Sequence, residues 1–170
     1  MKDSTTRFYS YVSLYIITKG QRLTLAVFPT KNGVSKVEYI RRFLKIIADL
    51  KVKITVLCLD RGFYSKDIFA VLQMENVPHI VPVRKHGEEL KKIMTGTHSR
   101  YDRYTMIGTS EPIDLTLAID VQYLQGKNEK HGNVNLGYVV HSVDWNPRKV
   151  YSSLSHLLRF SEVWVELCLG

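Results

Sequence analysis

Residues 53–83 read KITVLCLDRGFYSKDIFAVLQMENVPHIVPV, and this stretch decides the fold. Lys53–Leu59 is a short, nearly continuous apolar run, the pattern of a strand buried on both faces. It stops at Asp60-Arg61-Gly62. Ser65 then stands where a helix cap is expected, and Ile68, Phe69, Val71 and Leu72 supply an apolar face. Asn76 is a suitable terminator ahead of Pro78. His79–Val83 reads as the next strand, with Pro82 implying an edge position or an early end. A strand, a helix and a strand joined by short links imply a right-handed crossover and a parallel pair.

Upstream, Phe8–Thr18 and Arg22–Phe28 are rich in aromatic and β-branched residues and flank Lys19-Gly20-Gln21, which predicts a hairpin. Ser35 followed three residues later by Glu38 is a capping-box pattern. Val37, Ile40, Phe43, Leu44, Ile47 and Leu50 then recur at helical spacing, so a helix must pack on the sheet. Downstream, Arg84–Lys92 is a charged run. Tyr101–Ile107, Ile113–Tyr123 and Asn133–Val143 read as strands, and Ile113–Tyr123 alternates so cleanly that an antiparallel, half-exposed strand is expected. The chain therefore divides into an α/β core at 1–83, a β-rich insertion at 84–141 and a C-terminal segment at 142–170.

Composition narrows the function. Twenty-four Lys and Arg against 16 Asp and Glu give a net charge of +8, which favours a polyanionic partner, nucleic acid before membrane. No apolar run reaches the roughly 18 residues of a membrane span and no leader pattern opens the sequence, so a cytoplasmic protein with no membrane partner is expected. Cys58 and Cys168 are too few for a disulfide scaffold or a zinc site of the usual spacing. The glycine-rich nucleotide fingerprints, the zincin motif and the serine-esterase elbow are all missing.

Asp60 is the residue that stands out. It ends a buried strand, and ligands of open α/β sheets bind beyond the carboxyl ends of strands. Arg61 sets a fixed charge beside it, and Gly62 permits close approach. The plainer reading is that Asp60 opens a turn before the helix, as Asp often does. Arg84, Lys85 and His86 follow the next strand end and could meet DNA phosphate, although a solvated charge run is the simpler account. Lys127, Lys130 and His131 could do the same from a polar loop. Tyr101, Tyr104 and Tyr123 could stack on bases but read first as sheet residues. Trp145 reads as a packing residue, and His79 and His141 as satisfied structural groups.

The run Leu57–Val83, with its block Asp60, Arg61, Gly62, Phe63, Tyr64, Ser65, resembles the insertion-sequence DDE transposases common in archaeal genomes, which carry an RNase H-like catalytic core. The hairpin, the Ser35 helix and the β-rich insertion follow the same layout, and the likeness spans roughly residues 6–151. It implies an RNase H-like mixed sheet with flanking helices and DNA cleavage and joining with Mg²⁺ or Mn²⁺. It makes Asp60 a catalytic residue and metal ligand, with the element's ends and its target as DNA partners. Two ions about 3.5–4 Å apart would activate the attacking oxygen and stabilise the leaving one.

One carboxylate cannot hold such a pair. The family's first acid lies on a strand upstream of the hairpin; here only Asp3 precedes it, in a polar lead-in. The third belongs to a C-terminal helix with a block resembling Tyr-Arg-x-Arg-Phe-Gly-x-Glu. Arg148, Lys149, Val150 and Tyr151 match its approach, but Leu154–Gly170 does not continue it and offers only Glu162 and Glu166. Glu166 is the weak candidate for a third ligand. The expectation is a transposase fragment lacking its first core strand and inactive alone, with the central gap closed by the chain itself, filled by another chain in a homo-oligomer, or left as a source of instability. A non-catalytic basic DNA-binding remnant remains an alternative. So does a small RNase H-like nuclease that draws a second acid from Asp114, Asp120 or Glu166.

Overall fold

A computed structural model describes residues 10–18, 21–108, 111–124, 132–157 and 163–167. They form a mixed α/β structure: β1 (Tyr11–Thr18), β2 (Gln21–Pro29), α1 (Lys36–Asp49), β3 (Ile54–Cys58), a 3₁₀ turn (Arg61–Phe63), α2 (Lys66–Met74), β4 (His79–Pro82), α3 (Glu88–Ile93), β5 (Arg100–Met106), β6 (Ile113–Leu124), β7 (Gly132–His141), α4 (Pro147–Leu157) and β8 (Val163–Leu167). All eight strands join one sheet in the order β2-β1-β8-β3-β4-β7-β6-β5.

The hairpin forms as expected, β1 pairing antiparallel with β2. Ser35 caps α1, its Oγ accepting from the Glu38 N–H at 3.2 Å. The capping box is half made, because the Glu38 carboxylate instead accepts from Arg42 Nε at 3.0 Å. Tyr39, Ile40, Phe43 and Ile47 of α1 are buried. Each such side chain stabilises by roughly 1.5–3 kcal/mol when fully withdrawn from water, before its ordering entropy is subtracted. β3 and β4 pair in parallel, with Leu57 opposite His79 and Cys58 opposite Ile80. Pro82 ends β4 instead of marking an edge: β4 is buried along its length, with β7 on its other side. Asn76 takes φ +49° just after α2 and breaks the helix there.

Three expectations need correction. The strands assigned to an insertion continue the core sheet: β7 pairs antiparallel with β4 from His79↔His141 to Pro82↔Tyr138, and β6 and β5 follow. One hydrophobic cluster accordingly runs from Leu14 through Leu57 and Val81 to Leu117 and Val139. The strand pattern of β7 was legible, but its pairing with β4 was not, because partners such as His79 and His141, 62 positions apart, leave no local trace. Secondly, β6 is not half-exposed at its centre. Leu117, Ala118, Ile119 and Asp120 are all buried, because α4 covers the face opposite α1–α3 with Val150 and Leu154. Thirdly, the charged run holds a helix, α3, with Glu88 and Glu89 at its start, Lys91 and Lys92 at its end, and Leu90 buried. That placement suits the helix dipole at both ends.

The central gap is closed by the chain itself. β8 lies between β1 and β3, parallel to the first (Leu14↔Val163 to Ile17↔Glu166) and antiparallel to the second (Cys58↔Trp164, Val56↔Glu166). Backbone groups that would otherwise be orphaned at the middle of the sheet are thereby paired. No described helix is long and apolar enough to cross a membrane.

Candidate nucleic-acid interface

Because β3 and β4 run in parallel, their carboxyl ends lie side by side and the turns that follow them share one rim of the sheet. Cys58 faces Ile80, so two residues later Asp60 stands level with Pro82. The Leu59 N–H donates to the Ile80 carbonyl at 3.0 Å and the Val83 N–H to the Gly137 carbonyl at 2.8 Å, which holds both strands to their last residues. Beyond that point the chain is released, and Arg61, Arg84, Lys85 and His86 are all exposed. A tight turn, His86 N–H to Arg84 carbonyl at 2.7 Å, holds Arg84–His86 as a ridge.

Two clefts flank that ridge. One, of about 300 Å³, is lined by Arg61, Arg84 and Lys85 together with Tyr138. Burial pushes the Tyr138 phenol up to about 12, with Tyr151 and Asp120 adding to the rise and Arg61 opposing it. The other, of about 570 Å³, is lined by Arg84, Lys85 and His86 with Tyr64, Ser65 and Tyr104. The four basic residues singled out from the sequence thus converge from two strand ends. The tyrosine contribution was legible only in part: Tyr104 was a candidate, whereas Tyr64 and Tyr138 stood in an apolar helix lead-in and a strand.

Asp60 plays the plainer of its two parts. Its Oδ2 accepts from the Gly62 N–H at 3.0 Å and caps the 3₁₀ turn, while Lys36 Nζ donates to the Gly62 carbonyl at 2.5 Å. A Cβ on residue 62 would meet Asp60 Oδ2 at 3.1 Å, so glycine lets the carboxylate fold back over the turn. Asp60 is half-buried and alternates onto the face of Val56 and Cys58, the face covered by α4. The α4 sequence, PRKVYSSLSHL, contributes no acid.

Of the other candidate acids, Asp120 and Asp114 are engaged elsewhere, and Glu166 is placed by its backbone. Glu166 pairs by backbone with Val56, four residues back from Asp60 or about 13 Å along the strand. Asp120 is buried and engaged by Ser99 Oγ at 2.8 Å and Gln122 Nε2 at 3.0 Å. Asp114 accepts from Thr105 Oγ1 at 2.7 Å, and its backbone carbonyl receives Gln73 Nε2 from the last turn of α2, at the other end of that helix from Asp60. Asp3, Glu162, Lys127, Lys130, His131 and Cys168 lie outside the described residues.

Among the described residues no three His, Cys, Asp or Glu side chains gather into a metal-binding group. Among the described side chains, Asp60 alone does not supply the several anionic oxygens that a pair of Mg²⁺ or Mn²⁺ ions needs. What the rim does offer is positive charge held on rigid strand ends, suited to phosphate.

Tyr101, His79 and His141 serve packing. The Tyr101 hydroxyl donates to the Trp145 carbonyl, tying β5 to the segment before α4, and Lys149 Nζ lies 4.6 Å over the Trp145 ring. Tyr123 is exposed near the end of β6. His79 and His141 stack across β4 and β7 with ring centroids 5.3 Å apart. They are not fully satisfied: His79 Nδ1 meets the Val77 carbonyl at 2.8 Å, but the Nε2 of each ring is buried with no partner among the described residues.

The fold and rim together define a mixed α/β domain with a basic edge. No protein-family model, curated protein or solved structure matches the chain.

Proposed function

We propose that the chain is part of an insertion-sequence DDE transposase of RNase H-like fold that binds DNA backbone through Arg61, Arg84, Lys85 and His86 and does not cut or join DNA on its own. The observation that carries the reading is the convergence of those four side chains on one rim. The sequence block Asp60–Ser65 links that rim to the transposase family, and the donor set around Asp60 speaks for binding over chemistry. In intact relatives, Mg²⁺ or Mn²⁺ would supply strand transfer. Here Asp60 holds the turn that presents Arg61. A cytoplasmic location accompanies this reading.

Phosphate contacts release counterions, so affinity should fall steeply with salt, each neutralised phosphate adding about −0.9 to the slope of log K against log salt. Anisotropy titration of a labelled duplex across a salt series tests this. The double variant Arg84→Ala, Lys85→Ala is expected to weaken binding and flatten the slope by about 2, while Asp60→Asn leaves both unchanged. Salt-insensitive binding, or a slope unaltered by the double variant, contradicts the proposal. So does Mg²⁺-dependent nicking of supercoiled DNA that Asp60→Asn abolishes.

A further inference from the structure

The larger cleft has features that duplex backbone does not use. Tyr64 and Tyr104 put two aromatic side chains beside the Arg84–His86 ridge. The Tyr64 ring is held edge-on against buried Phe69, with centroids 5.3 Å apart, so its orientation is fixed. Its hydroxyl oxygen is buried and has no hydrogen-bond partner among the described residues. Burial, with the Tyr104 phenol beside it, raises the Tyr64 pKa above the ordinary tyrosine range, so this hydroxyl keeps its proton and remains a donor. Ser65 occupies the N-cap of α2 without making a side-chain capping bond, leaving its hydroxyl uncommitted at the same cleft. A buried hydroxyl left unpaired is costly, and a ligand acceptor would recover that cost.

Resting on the nucleic-acid reading above, we propose that this cleft takes one unstacked nucleotide, its base against Tyr64 and Tyr104 and its phosphate on Arg84, Lys85 and His86. The partner class is therefore single-stranded nucleic acid in preference to duplex. Every base has a π-face, so stacking is tolerant of sequence, and the cationic ridge tracks the backbone. A volume of about 570 Å³ lies within the range of small-molecule sites and leaves room for a ring and its phosphate. The second cleft, with Arg61, continues the cationic surface for the neighbouring phosphate.

The test compares a labelled ten-nucleotide thymidine strand with a mixed-sequence duplex of equal length, by anisotropy at one salt concentration, using the full chain. The single strand should bind about five-fold or more tightly than the duplex, in line with the stacking of one base. Tyr104→Leu should erase that preference at unchanged duplex affinity, and Tyr64→Phe, which removes only the hydroxyl, should reduce it. Melting curves of both variants should match the parent chain. Thymidine monophosphate at millimolar concentration distinguishes the sources: displacement of the strand shows that the pocket takes a free nucleotide, and strand binding without displacement shows that it needs the continuous backbone. Duplex binding with no single-strand preference, or a preference that survives Tyr104→Leu, overturns this proposal and leaves the DNA-binding reading standing. Failure of the parent chain to bind either nucleic acid sinks the function itself, and the proposal with it.

Discussion

Acid should destabilise this protein through His79, by an amount the structure allows to be worked out. The ring is fully buried between Phe69 and His141, and burial lowers its pKa from 6.5 to about 4, with the neighbouring His141 contributing in the same direction and the Val77 carbonyl opposing. A carbonyl can only accept, so Nδ1 carries the proton and Nε2 is the bare nitrogen. Protonation would place a cationic N–H in a stack with no acceptor. The unfolded chain takes that proton near pH 6.5 and the folded chain only near 4, so the unfolded state binds more protons between those values. Stability is then full above about pH 6.5, falls as pH drops through the window, and levels off below about 4. At 1.36 kcal/mol per pH unit the loss approaches about 3 kcal/mol. For a chain of this size that corresponds to roughly 6–12 °C in melting temperature. His79→Asn is the informative comparison, since the amide can still donate to Val77 but does not titrate. Urea unfolding of both proteins from pH 7.5 to 4 should show the parent losing about 3 kcal/mol more than the variant. Parallel pH profiles would refute the reasoning.

Removing residues 158–170 deletes β8 and reopens the middle of the sheet; the shortened chain should lose its cooperative thermal transition and associate, as read by circular dichroism and size-exclusion chromatography. A cooperative melt close to that of the full chain contradicts this. At Gly137 a Cβ would collide with the Met94 thioether and press on Val83, so Gly137→Ala should cost about 1–3 kcal/mol in chemical denaturation, with a neutral result showing that Met94 swings clear. Asp60→Ala should destabilise by about 1 kcal/mol through loss of the turn cap, and Asp60→Asn by less, which differential scanning fluorimetry can rank. An Asp60→Ala protein as stable as the parent would show that the carboxylate does not hold the turn.

Much of the architecture is written in short-range pattern. The hairpin turn, the Ser35 cap, the α1 stripe and the β3–α2–β4 unit each depend on residues within a few positions of one another, so periodicity exposes them. The same is true of the basic residues at the strand ends, since parallel neighbours bring their carboxyl ends together whatever else the chain does. Residues 84–92 misled because charge dominates that run, and a single buried Leu90 is too little periodicity to reveal a six-residue helix.

The linear order of residues settled seven of the eight described strands, all but β8, where charge accumulates, and that Asp60 sits at the end of a buried strand. Tertiary structure alone decided that β7, β6 and β5 extend the core sheet, that β8 enters between β1 and β3, that Asp60 caps a turn, and that Tyr64 joins Tyr104 beside the Arg84 ridge. The division has one physical cause. A local pattern records how a segment will bury its own face, whereas the choice of neighbour depends on which distant surfaces best satisfy the same hydrogen bonds and fill the same space.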